Sequence, residues 1–207
     1  MVNSFIRLLE NIADNKHVLG DRMVETGFSG PTLEAVVSIF AIAQGELGHA
    51  RVLYSWASRL RGGQGDPDIA KQTGKALGFL SEIDDWIKLV SAMYTVTIAH
   101  DVLLRSIFEA RPEESASRVH KVIEEQKEYF LYAKAWVQQL LKDKGAVPKH
   151  MKKTLDHHHR EVLSWLESIE NQRELFEGGH LKAAGKLSEQ FREKFEEGQL
   201  SEVGVHA

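Results

Sequence analysis

Four long stretches of the chain place apolar residues at alternating steps of three and four, the signature of helices that bury one face. The first stripe reads Phe5, Leu9, Ile12, Lys16, Leu19, Met23. The second reads Ile39, Ile42, Glu46, His49, Leu53, Trp56, Leu60. A third runs Ile87, Val90, Tyr94, Thr97, Asp101, Leu104, Phe108, and a fourth runs Val122, Glu125, Tyr129, Tyr132, Trp136. Punctuation sets the expected bounds. A first helix spans Ser4 to Thr26, with Gly27 as its C-terminal cap. A second opens at Pro31 or Thr32 and ends near Arg61, before the breaker RGGQGDPD. Asp84 or Asp85 caps a third helix that runs to Ala110. Pro112 restarts a fourth that continues to Lys144, where KGAVP stops it. A fifth helix over Lys149–Phe176 and a charged sixth after Gly179 complete the chain, and the tail SEVGVHA is expected to fray.

Two long hairpins joined by a longer crossover give the connectivity of a ferritin-like four-helix bundle. The expected fold class is therefore all-α: one domain, with the four-helix core over about 4–144 and two C-terminal helices over about 149–197.

Each stripe is interrupted by at least one ionisable residue, and register decides whether the interruptions meet. In an antiparallel hairpin, facing positions have numbers with a constant sum. A turn near residue 113 sets Asp101 opposite Glu125, and a turn near residues 29–31 brings Lys16 within one helical turn, ~5.4 Å, of Glu46. Lys16, Glu46, His49, Asp101 and Glu125 are thus expected at one height, with Glu128 a turn beyond Glu125. Glu46 and His49 form a Glu-x-x-His pair on one helix face, the spacing of a bundle metal half-site. Carboxylates and an imidazole buried together require a cation. That cation is either a metal, with iron or manganese suited to such donors, or the ammonium of Lys16.

Composition narrows the classes. The 207 residues carry a formal net charge of -4, with 27% charged and 43% hydrophobic residues. This is an ordinary globular balance without a basic face for nucleic acid. No cysteine is present, which removes disulfides and thiolate ligands and fits a cytoplasmic setting. The N-terminus lacks a signal-peptide pattern, and the apolar run around Ala35–Ala43 is too short to span a bilayer, so no membrane association is expected.

The segments IADNKHVLGDRM, GPTLEAVV and IAQGELGHARVLYSW, with HDVLLRSIFEA and IEEQKEYFLYAKAWVQQLL further on, resemble the phenylacetic acid catabolic proteins, the large subunits of the multicomponent phenylacetyl-CoA ring epoxidase. A looser match near ELFEGG extends the likeness over most of the chain. The resemblance implies one of two roles. A catalytic subunit would hold carboxylate-bridged iron through Glu46, His49, Asp101 and Glu125, with Glu128 adjacent. It would activate O₂ with electrons from a reductase and oxidise an aromatic acyl-CoA. A structural subunit of the same fold would have a degraded site. Two positions depart from a diiron pattern: Lys16 stands where the first helix should give a carboxylate, and Glu128 where the fourth should give a second histidine. Either role implies a hetero-oligomer with a related bundle subunit. Helix two, apolar on nearly all sides, also suggests a homodimer.

Other features have plainer readings beside the functional ones. Lys16 reads as an internal counter-ion, as a neighbour of one retained metal, or as displaced by a roll that brings Asp14 or Glu10 inward. Three successive histidines, His157 to His159, point in different directions and read as a solvated or interface face. Tyr94, Tyr129, Tyr132, Trp136 and Trp56 read as core packing before they read as a substrate pocket. Arg51, Arg59 and Arg61 suit a helix C-terminus as well as a CoA phosphate. A metal-storage role is disfavoured by the missing second Glu-x-x-His.

Overall fold

A computed structural model describes residues 2–64, 67, 74–182 and 186–199. Among these the chain is all-helical, with no strand. The four long helices are α1 (Val2–Thr26), α2 (Leu33–Leu60), α3 (Trp86–Ala110) and α4 (Pro112–Leu141). They are followed by α5 (Val147–Glu170), a five-residue α6 (Arg173–Glu177) and α7 (Leu187–Gln199). The RGGQGDPD breaker and the SEVGVHA tail lie partly and wholly outside the described residues.

The caps follow from local chemistry. Thr32 accepts a hydrogen bond from the Ala35 amide at 3.2 Å, and Asp85 accepts one from Lys88 at 2.7 Å, so each satisfies a backbone donor that the helix start leaves open. Gly145 takes φ 69 in the turn after α4, a conformation only glycine adopts without strain. Gly27 differs from expectation. It begins a 3₁₀ turn, Gly27–Ser29, and is absent from the positive-φ glycines. A Cβ there would come within 2.8 Å of Ile39 Cγ2, so close approach of α2 is what asks for glycine.

α1 packs chiefly on α2 and α3 on α4, which gives two hairpins; α5 and α7 cover the α3 side. A single residue, Arg111, separates α3 from α4. α3 is buried on almost every side. By length and composition it is apolar enough to cross a membrane, beyond what the Ala35–Ala43 run suggested, but the other helices cover most of it.

The expected fifth helix is divided. α5 stops at Glu170, whose carboxylate leaves to accept the amide and hydroxyl of Ser188 at 2.8 and 3.0 Å and so caps α7. The short α6 fills the break, making three C-terminal helices where the pattern implied two.

The crossover is clamped by polar residues of α1. Glu10 (3% exposed) pairs with Arg61 and with Lys75 at 3.0 Å. Asp14 accepts the Tyr54 hydroxyl and the Lys75 amide, and Asn15 accepts the Leu77 amide at 2.8 Å. Asp14 and Glu10 therefore face α2 and the crossover, away from the centre of the bundle.

Candidate functional site: a polar layer centred on Lys16

Lys16 is fully buried in the middle of the bundle. Its Nζ donates to Glu46 Oε2 at 3.0 Å and Oε1 at 3.3 Å, and to Gln126 Oε1 at 2.8 Å. The Gln126 amide in turn donates to the Thr97 carbonyl at 3.3 Å, so the network reaches α1, α2, α4 and α3 in sequence. Burial pulls the Lys16 pKa below the usual lysine range, while the Glu46 carboxylate opposes that pull by favouring the charged amine. Neither partner reaches solvent: the side chains are 0% and 2% exposed.

One turn along α2, His49 Nε2 lies 2.7 Å from Glu125 Oε2. Burial, then Lys16, pushes the imidazole below its ordinary pKa, while Glu46 and Glu125 pull the other way. The neutral ring donating from Nε2 leaves Nδ1 an acceptor, and this atom is buried without a partner among the described residues. Glu125 is held below the usual carboxylate range, first by its bond to His49; it is half-buried and also meets Lys121 at 3.3 Å. The Tyr129 ring stacks on His49 with centroids 5.7 Å apart. Burial, with Glu46 and Glu125 nearby, raises its phenol to about 12. A Cβ on Gly45 would fall 1.8 Å from the Tyr129 hydroxyl, so the glycine beside Glu46 makes room for this ring.

The structure thus brings together Lys16 with Glu46, and His49 with Glu125. It does not bring Asp101 or Glu128 into the layer. Asp101 lies outward, gripped by Arg105 of its own helix at 2.8 Å and by Lys194 of α7. Glu128 is exposed. The physical reason is the all-round burial of α3: a helix without a polar face has no unique stripe, so stepping through Asp101 chose the wrong side. At this height α3 presents His100, 1% exposed. Its pKa lies well below the usual histidine value because of burial and then the nearby Lys16 and His49. Its Nε2 also lacks a partner among the described residues. On α4 the buried position is Gln126, one residue after the expected Glu125.

His100 and Gln126 escaped the sequence reading because its stripes were anchored on acids. The buried row Val119, Val122, Gln126, Ala133, Val137 was available as the signal for Gln126.

The donor set does not suit a metal ion. Among the described residues no three His, Asp or Glu side chains gather as ligands. Glu46 is already engaged by the Lys16 ammonium at 3.0 Å.

The remaining candidates resolve into packing. Tyr94 donates to the Phe195 carbonyl at 2.7 Å, and Trp86 meets Trp136 edge to face at 5.1 Å. Of the three histidines, His157 is exposed, whereas His158 is buried, contrary to a wholly solvated run. It bonds Ser91 at 2.9 Å, stacks on Phe79, and is lowered by burial to about 3. His159 packs on Phe191 and Phe195. Arg61 is taken by Glu10, and Arg51 and Arg59 are exposed.

A family profile described as phenylacetic acid catabolic protein matches residues 2–207. No curated protein matches the chain in sequence.

Proposed function

Because the chain belongs to the phenylacetic acid catabolic protein family, we propose that it is the non-catalytic, structural subunit of an epoxidase-type assembly. In this reading the bundle's polar layer is closed by Lys16 and holds no iron. The observation that carries it is the Lys16 amine, fully buried and hydrogen-bonded to Glu46 at 3.0 Å and Gln126 at 2.8 Å. A cation that the chain supplies itself meets the need that iron would meet in a catalytic relative. The layer's hydrogen bonds then join all four long helices into one rigid frame.

The iron-oxygenase reading needs Asp101 as a ligand beside Glu46, His49 and Glu125, with Glu128 close by. Asp101 is committed to Arg105 and Lys194, and Glu128 is exposed. O₂ activation, the acyl-CoA substrate and the dependence on a reductase therefore belong to a partner subunit with an intact site. Support for such a partner comes from the α1–α2 end, where Phe28, Leu33 and Val37 are 74%, 73% and 59% exposed. Apolar groups gathered in this way mark protein contact surfaces.

The test is metal analysis of the chain purified from iron-supplemented cells. The expected result is iron far below one equivalent per chain. Near-stoichiometric iron that survives dialysis, and that is lost in Glu46→Gln, overturns the proposal.

A further inference from the structure

The cleft between α3, α4 and α7 borders the central layer through Thr97 and Gln126, and its other lining residues take no part in the layer's bonding. Its volume is about 350 Å³, within the range of small-molecule sites. One wall is apolar. Ile98 comes from α3, and Phe130 and Leu131 come from α4. Phe130 is fixed by stacking on Tyr94 with centroids 5.8 Å apart, and Leu131 is 54% exposed.

The lining also carries an excess of positive charge. Asp101 accepts from both Arg105 and Lys194, so two cations share one carboxylate. Lys134 lies one turn beyond Phe130 on α4 and is half-buried, with no ion pair among the described residues. Lys127 is turned to Glu124 at 2.6 Å, and Glu197 is the other acid of the lining. Setting Lys127 aside, three cations face two acids, which leaves a single positive charge beside an apolar wall.

We propose that this cleft binds a small amphipathic monocarboxylate. The apolar body lies against Ile98, Phe130 and Leu131, and the carboxylate meets Lys134, with Lys194 and Arg105 behind it. The residual charge matches a monoanion better than a phosphate dianion, and the wall gives a purely polar anion nothing to bury. This site is independent of the structural-subunit reading, since it requires neither iron nor its absence.

Calorimetric titration of the full chain with octanoate, octan-1-ol and inorganic phosphate tests it. Octanoate is expected to bind saturably, octanol about tenfold more weakly for want of the charge-assisted bond, and phosphate not measurably. Lys134→Gln should weaken octanoate by about tenfold and leave octanol unchanged. Leu131→Ser should weaken both. Neither residue is buried, so unchanged thermal unfolding certifies each variant. Absence of saturable octanoate binding, equal affinity for octanol, or an unaltered octanoate affinity in Lys134→Gln would overturn the assignment.

Discussion

α1 carries two buried polar groups of opposite purpose. Lys16 points into the bundle, where Glu46 and Gln126 receive it. Glu10, Asp14 and Asn15 point at α2 and at the crossover, where they hold Arg61, Tyr54, Lys75 and Leu77. The first group consists of side chains bonding side chains across the core. The second spends much of its capacity on the backbone amides of Lys75 and Leu77 in the crossover. Burial of a charge is thus no guide to function by itself. What distinguishes the two groups is what each charge faces: another helix's side chain in one case, unpaired main chain in the other.

The sharpest way to break this comparison is Lys16→Met. It leaves the Glu46 carboxylate buried without a cation and is expected to cost about 3–5 kcal/mol in urea denaturation. Adding Glu46→Leu should recover most of that loss, because the removed pair is replaced by apolar packing. A next, smaller effect is expected from Asp14→Ala, which strands the Tyr54 hydroxyl and the Lys75 amide. The expected cost is about 1–3 kcal/mol in all, set by the buried Tyr54 hydroxyl, and no companion substitution on α2 should restore the Lys75 amide.

The smallest effect separates the groups by acid sensitivity. His49 and His100 in the central layer have pKa values below the ordinary histidine value, and so does His158 beneath α3. Such groups stabilise the fold above about pH 6.5, because the unfolded chain takes up their protons first; that stability is lost as pH falls below this value. His100→Gln should therefore flatten the fall in stability between pH 6.5 and 5 by at most about 1 kcal/mol per pH unit. Tyr54→Phe, in the crossover group, should leave that slope alone. Equal slopes in the two variants would show that the layer does not hold its imidazoles neutral.

The sequence made the α1–α2 half legible to the level of single residues. The α1 stripe is buried throughout, including Lys16, and on α2 the run from Ile39 to Trp56 is buried as the three-four stepping requires. Each of these helices offers a marker that gives the stepping one solution: polar surface on α1, and the inward Glu46–His49 pair on α2. α3 does not, and the register that set Asp101 inward could not be told from the register that sets His100 there. On α4 the same rule located the height but missed the face by one residue, about 100° of rotation. The role of Asp101 depends on Lys194, ninety-three positions away on a helix whose docking no periodicity encodes. The crossover clamp was invisible for a related reason: Asp14 and Asn15 accept amides of a segment without a repeat, and Glu10 pairs with the Arg61 and Lys75 side chains.

The lone residue between α3 and α4 makes that hairpin a ruler. Adding one amino acid near Arg111 would turn α4 by about 100° and slide it by about 1.5 Å, carrying Gln126 away from Lys16 and Glu125 away from His49 together. Chain length at that corner is therefore counted, residue for residue. Insertions in this lineage should spare the corner.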